Sequence, residues 1–377
     1  MKCIVNGRIL MPDGIVDGKV LAFGRCIEGI IDAPPPDAEI IDAEGGYVAP
    51  GLIDVHCHGL MGMDASHGSI EELRQMSAFK ARNGVTAWLP TTMTLDWTAL
   101  EGCFAAVRQA MAESLVPGWH GAQVLGCHAE GPFINPKRKG AQAAEYIQPP
   151  DIDRLRPWRD VVRLMTVAPE MDGATDFIRE ATAMGVTISL GHSDATAEQA
   201  MAGFGAGARH VTHTFNAMPP LNHRQPGLIG AALNDDRIYC ELIADTFHVS
   251  PLLFPMMARL IPRRLVLITD SIRCAGLPDG QYDLLGVNVT VDGIQCRLDD
   301  GTIAGGALTL DRAVRNFAKY ADIPLWQAVN MASLYPARSI GVDGRKGSLC
   351  PGRDADIILT DDGFHVRATF VGGTGLK

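Results

Sequence analysis

Two histidines one residue apart, His56 and His58, close an apolar run in the stretch Gly-Leu-Ile-Asp-Val-His-Cys-His-Gly (residues 51–59). In an extended strand, residues two apart point to the same side, so both imidazoles would be available to one metal ion. The pattern also occurs in ordinary strands, so the rest of the chain has to decide. Imidazoles and carboxylates recur where other short apolar runs end: His128 and Glu130, His192, His213, Asp245 with His248, and Asp270. Each has an unremarkable alternative. His192 could cap a helix, His213 could be a bonded core histidine, and Asp270 could be an N-cap. The chain has only 11 histidines in 377 residues, and chance rarely places them so regularly. Together these residues form a ligand array suited to one or two divalent ions per subunit, Zn, Fe or Mn. His56, His58 and Asp270 would hold one side, His192 and His213 the other, and Glu130 could bridge.

Positioning such an array takes a ring of strands. Apolar runs at 52–56, 86–90, 122–128, 162–167, 187–190, 210–213, 239–244 and 265–269 alternate with helical segments at 69–82, 97–113, 173–184, 196–204 and 250–260. A hairpin-like insert at 281–301 and helices at 310–320 and 324–339 follow. Alternation of this kind predicts a parallel sheet, and eight such units predict a (β/α)8 barrel, whose chemistry lies at the C-terminal strand ends. Short strand-like runs separated by turn dipeptides (Asp17-Gly18, Asp362-Gly363) occupy both termini. They are expected to pair as one small β-sandwich from residues 1–50 plus 344–377, leaving 51–343 as the catalytic barrel.

Composition is that of a globular chain, 47% hydrophobic and 20% charged. A net charge of −10 argues against nucleic acid as a partner, which calls for a basic face. A local basic cluster is still enough for an anionic small molecule. No run of about 18 apolar residues is present to span a membrane, and no signal-peptide core is apparent. The nine scattered cysteines, with no Cys-x-x-Cys, read as reduced thiols of a cytoplasmic protein.

These motifs resemble the amidohydrolase superfamily and, within it, the N-acetylglucosamine-6-phosphate deacetylase family. The stretches that carry the resemblance are 51–59, His-Ala-Glu-Gly-Pro-Phe (128–133) with Lys-Gly-Ala-Gln (139–142), Gly-His-Ser-Asp-Ala-Thr (191–196), Thr-His-Thr-Phe-Asn-Ala-Met-Pro (212–219), Asn-His-Arg-Gln-Pro-Gly (222–227), Ile-Ala-Asp-Thr-Phe-His (243–248) and Thr-Asp-Ser-Ile-Arg-Cys-Ala-Gly-Leu-Pro (269–278). The resemblance implies a homodimer that removes the N-acetyl group of an amino-sugar 6-phosphate. It also implies that Glu130, His192 and His213 are the family's shared metal ligands, with Asp270 its catalytic carboxylate. His56 and His58 belong to members holding two metals. His248 would bond the substrate, and Arg224 with the backbone at Asn216 and Ala217 would take up phosphate and sugar. Ala141, Ile303, Ala304 and Gly305 would line the site. Thr246 and Phe247 depart from the family pattern, and a bulky Phe247 beside His248 could alter the sugar pocket.

The residues themselves suggest how such a reaction would run. A divalent ion polarises an amide carbonyl and acidifies water. Asp270 could take the water's proton and return it to the leaving nitrogen, while His248 bonds the carbonyl oxygen or a sugar hydroxyl. Arg224 offers a fork suited to phosphate, whereas Lys137-Arg138-Lys139 reads as a solvated loop face. Two alternatives stand beside this reading: an amidohydrolase for N-acetylgalactosamine 6-phosphate or another N-acyl substrate, and a non-catalytic barrel scaffold. The scaffold would show an eroded ligand set, yet every ligand is present.

Overall fold

The computed structural model describes residues 1–284 and 286–376. Eight parallel strands form a ring: β1 (Leu52–Cys57), β2 (Val85–Thr92), β3 (Cys127–Glu130), β4 (Val162–Val167), β5 (Thr187–Leu190), β6 (His210–Val211), β7 (Tyr239–Ile243) and β8 (Leu265–Ile268). Neighbours pair in sequence from β1 to β8. The ring closes just beyond the strands, where Cys57 and Ser271 form a parallel bridge and the Asp270 N–H donates to the His56 carbonyl at 3.0 Å. Strands covered on both faces read as continuous apolar runs. Accordingly every residue of β1 and β8 is buried.

The surrounding helices are α1 (Ile70–Arg82), α2 (Trp97–Glu113), α3 (Ile152–Leu155), α4 (Ala174–Ala183), α5 (Ala197–Ala206), α6 (Gly227–Leu233), α7 (Phe254–Leu260) and α8 (Leu310–Ala321). Their starts follow local chemistry. Ser69 accepts from the Glu72 N–H at 3.3 Å, Asp96 from the Ala99 N–H at 3.2 Å, and Thr196 with Gln199 forms a capping box.

Several elements differ from the sequence expectation. The third strand is split into Gln123–Val124 and Cys127–Glu130, with Gly126 at φ 148° in the break. β6 keeps only two residues because Thr212 and His213 leave the ladder. The seven-residue α6 is too short for a helical period to announce it. The helix at 324–339 divides at Ser333 into Leu325–Ala332 and Leu334–Ser339. The insert is a four-stranded antiparallel sheet (Gly280–Leu284, Val287–Asp292, Gln295–Leu298, Ile303–Gly306), larger than the expected hairpin.

Both termini form sheets. Strands Ile27–Ile31, Val20–Phe23, Lys2–Val5 and Glu39–Asp42 make one. In the other, Tyr47–Pro50 pairs antiparallel with Ile357–Thr360 and so joins the two chain ends. Ile4, Leu21, Phe23, Val48, Ile357 and Phe370 share one apolar cluster between them. Among the described residues no helix is long and apolar enough to cross a membrane, and all nine cysteines are free.

A buried ion pair ties the ring to its first helix. Lys80 of α1 reaches Asp54 of β1 at 2.7 Å, and both are buried. Asp54 also accepts from the Thr269 hydroxyl at 2.7 Å and the Thr269 N–H at 3.3 Å. The pair therefore clamps β1 to the end of β8, one residue before Asp270. Removing one partner of a buried pair leaves an uncompensated charge, at a cost of roughly 3–5 kcal/mol. Lys80→Met is therefore expected to lower the thermal midpoint sharply in calorimetry. An unchanged midpoint would contradict the clamp.

Candidate metal centre

Six side chains converge at the C-terminal ends of the strands, with Glu130 in the middle. Its Oε1 lies 3.3 Å from His56 Nε2, 3.2 Å from His192 Nε2 and 3.0 Å from His213 Nε2, and its Oε2 lies 3.3 Å from His58 Nε2. Two groups result, His56–His58–Glu130 and Glu130–His192–His213, sharing the one carboxylate. Asp270 Oδ1 joins the first group, 3.3 Å from His56 Nε2 and 3.4 Å from His58 Nε2. All six residues are buried.

Backbone geometry delivers them. His192, His213 and Asp270 follow β5, β6 and β8, and each holds a positive φ, 46°, 25° and 44°. This region is sparsely populated for residues other than glycine, and it turns the chain out of the ladder. Gly59 serves close approach: a Cβ there would stand 2.4 Å from the Met63 carbonyl oxygen and 2.6 Å from the Arg273 nitrogen.

The outward ring nitrogens settle which way the lone pairs face. His58 Nδ1 lies 3.2 Å from the Thr91 carbonyl oxygen, and His192 Nδ1 lies 2.8 Å from that of Arg138. A carbonyl can only accept, so both Nδ1 atoms carry the proton and the Nε2 atoms point inward as acceptors. His56 Nδ1 has a carboxylate partner, Glu241, at 2.9 Å. Inside, Nε2 faces Nε2 at 3.2 Å between His56 and His58 and at 3.1 Å between His192 and His213. Acceptors crowded this closely around carboxylate oxygens fit a divalent cation with nitrogen and oxygen ligands.

The protonation balance of the protein alone agrees. Burial opposes charge on His58, yet Asp270 and Glu130 raise its pKa to about 9. Burial pushes the Asp270 carboxyl up, but His56, with His58 and His213, holds it at about 2. Glu130 is likewise held well below the usual carboxylate range, against its burial, by His192 and His56. The acidic pair thus draws positive charge onto its neighbours, a demand that a divalent cation meets in place of protons.

A cavity of about 350 Å³ opens onto these groups. His58, Glu130, His192, His213 and Asp270 reach its wall, together with Ala141, Asn216, Ala217, His248, Ile303, Ala304 and Gly305. Arg224 is the exception. It is exposed, in the loop 219–226, and is not part of that wall. The cations on the wall are Lys137 and Arg138, so the basic run read as a solvated face borders the cavity. Arg138 is already paired with Asp194 at 2.8 Å. Phe247 does not reach the wall. Its ring is covered by the Arg297 guanidinium at 4.9 Å and meets His248 edge-on. A larger groove of about 660 Å³, beside Arg82 and Arg367, holds none of the centre's groups.

Three supporting residues had no role assigned from the sequence. Gln142 donates to Glu130 Oε2 at 2.5 Å and accepts from the Thr94 N–H at 2.6 Å. Asp245 Oδ2 holds His248 Nδ1 at 2.6 Å, while its Oδ1 accepts the backbone N–H groups of Phe247 and His248. Glu241 is a lone carboxylate in the apolar run Tyr-Cys-Glu-Leu-Ile, and that anomaly was the available signal.

Comparison with known proteins gives the family. The model of the amidohydrolase family matches residues 47–375. The chain is 38% identical to the N-acetylgalactosamine-6-phosphate deacetylase of Escherichia coli O157:H7, over 97% of each chain. It is 36% identical to the N-acetylglucosamine-6-phosphate deacetylase of Bacillus subtilis (strain 168), over 98% of this chain and 92% of that one. Among solved structures, a mutant N-acetyl-D-glucosamine-6-phosphate deacetylase from Mycobacterium smegmatis, in complex with N-acetyl-D-glucosamine-6-phosphate, superposes with a TM-score of 0.92 at 29% identity, covering 100% of this chain and 99% of that one. The chain belongs to the amidohydrolase family, in the group that holds these amino-sugar-6-phosphate deacetylases.

Proposed function

We propose that this protein hydrolyses the acetamide of an N-acetyl amino-sugar 6-phosphate, with N-acetyl-D-glucosamine 6-phosphate giving D-glucosamine 6-phosphate and acetate. The observation that carries this reading is a carboxylate shared by two imidazole pairs, with Asp270 beside it on a cavity wall. The relatives named above supply the substrate class. A second reading, the galacto epimer, is favoured by the 38% identity to an enzyme named for it.

In this reading His56, His58, Glu130 and Asp270 would hold one divalent ion, and Glu130, His192 and His213 would hold a second. Zn, Fe and Mn all suit such ligands. A divalent cation in this setting supplies Lewis acidity, polarising the amide carbonyl and lowering the pKa of water. The chain's own groups do the rest. Asp270, held in its ionised form, accepts the proton of the attacking water. It then returns that proton to the amine nitrogen, which cannot leave as an anion. His248, its Nδ1 fixed by Asp245, presents Nε2 to the acetamide or a sugar hydroxyl. Asn216 and Ala217 orient the sugar; Arg224, exposed outside the wall of this cavity, is the phosphate ligand that the family resemblance implies, while Lys137 and Arg138 are the cations on the wall itself.

The direct test is acetate release from N-acetylglucosamine and N-acetylgalactosamine, each with and without the 6-phosphate. The highest kcat/KM is expected on the phosphorylated gluco sugar. A higher value on the galacto epimer would favour the second reading, and no release from either phosphorylated sugar would refute both. A positioned acid–base group contributes about 10²–10⁴-fold, so Asp270→Asn is expected to lose that much in kcat; near wild-type turnover would remove its role. Arg224→Ala is expected to raise KM only for the phosphorylated sugars, and an equal effect on both forms would show that it does not bind phosphate.

A further inference from the structure

We infer that Glu241 is a positioning residue that couples the two halves of the metal centre. The inference rests on the metal reading proposed above. Glu241 lies on β7 and is fully buried in the barrel interior, where a carboxyl is unfavourable unless its oxygens are bonded. Its Oε2 accepts the backbone N–H of His213 at 2.9 Å and lies 2.9 Å from His56 Nδ1. One oxygen therefore touches a ligand from each half, one through its side chain and the other through its backbone.

The two contacts have different consequences. The bond to His56 Nδ1 sets the ring so that Nε2 faces Glu130 and Asp270. The bond to the His213 N–H holds a residue that the ladder has already released, since β6 ends at Val211 and His213 sits at φ 25°. The Glu241 carbonyl adds a grip one residue on, accepting the Thr214 N–H at 2.9 Å. Its other carboxyl oxygen, Oε1, is buried 3.5 Å from His210 Nδ1 and makes no hydrogen bond. The working feature is thus the location of one acceptor atom rather than the charge.

Two conservative variants separate these possibilities. Glu241→Gln can present one oxygen at the same place. Glu241→Asp keeps the charge but withdraws the acceptor by about one carbon–carbon bond, ~1.5 Å. Metal-stripped wild-type and variant proteins would be titrated with Zn2+ alone, in competition with a chromophoric chelator, and their thermal midpoints recorded. The Gln variant is expected to bind Zn2+ as the wild type does, and the Asp variant about 10–100-fold more weakly, the range for lost outer partners of metal ligands. If the Asp variant does not fold, the Gln variant must still bind normally. Equal binding by folded Gln and Asp variants, or weaker binding by Gln than by Asp, overturns the inference. A wild type that binds no Zn2+ overturns the metal reading and this inference with it.

Discussion

The structure depends on one carboxylate serving two sets of imidazoles. Glu130 brings acceptor oxygens within 3.0–3.3 Å of four histidines, and neither half is complete without it. This places a demand on the rest of the barrel. Six buried lone-pair-bearing groups must be held against their mutual repulsion. The fold answers by bonding the far side of three of the four rings: Thr91, Arg138 and Glu241 each take an Nδ1, and His213 is held through its backbone N–H instead.

Beneath the centre, the interior of the barrel is polar where an apolar filling is the usual arrangement. His128 meets the Thr166 hydroxyl at 2.8 Å, Thr166 meets Thr212 at 2.8 Å, and Thr212 meets Ser189 at 2.6 Å. These bonds tie four neighbouring strands together, although His128 Nδ1 is buried without a hydrogen-bond partner. Here the network stands under the strand ends that carry His56, His192 and His213. Asp54, Lys80 and Thr269 play the corresponding part on the side of Asp270.

Much of this was legible in the sequence because the relevant periods are simple. A period of two put His56 and His58 on one face, and alternation of short strands with helices indicated the barrel. The ends of the apolar runs indicated Glu130, His192, His213 and Asp270. What escaped depends on contacts between residues distant in the chain. Nothing local tells that His213 leaves its strand after two residues, because that turn is held by Glu241 from the neighbouring strand. Arg138 looks like solvated charge until loop 134–142 docks against His192 and Asp194, whereas the Lys137 side chain at the cavity rim stays 78% exposed. Arg224 shows the converse: its motif matches the family, yet in this chain it stands outside the cavity wall.

The shared role of Glu130 is tested most directly by anomalous scattering from crystals of the protein loaded with Zn2+, recorded at the metal edge. Two peaks are expected, one among His56, His58, Glu130 and Asp270 and one among Glu130, His192 and His213, with Glu130 between them. No peak beside Glu130, or a single peak that leaves one set of histidines without an ion, would contradict it.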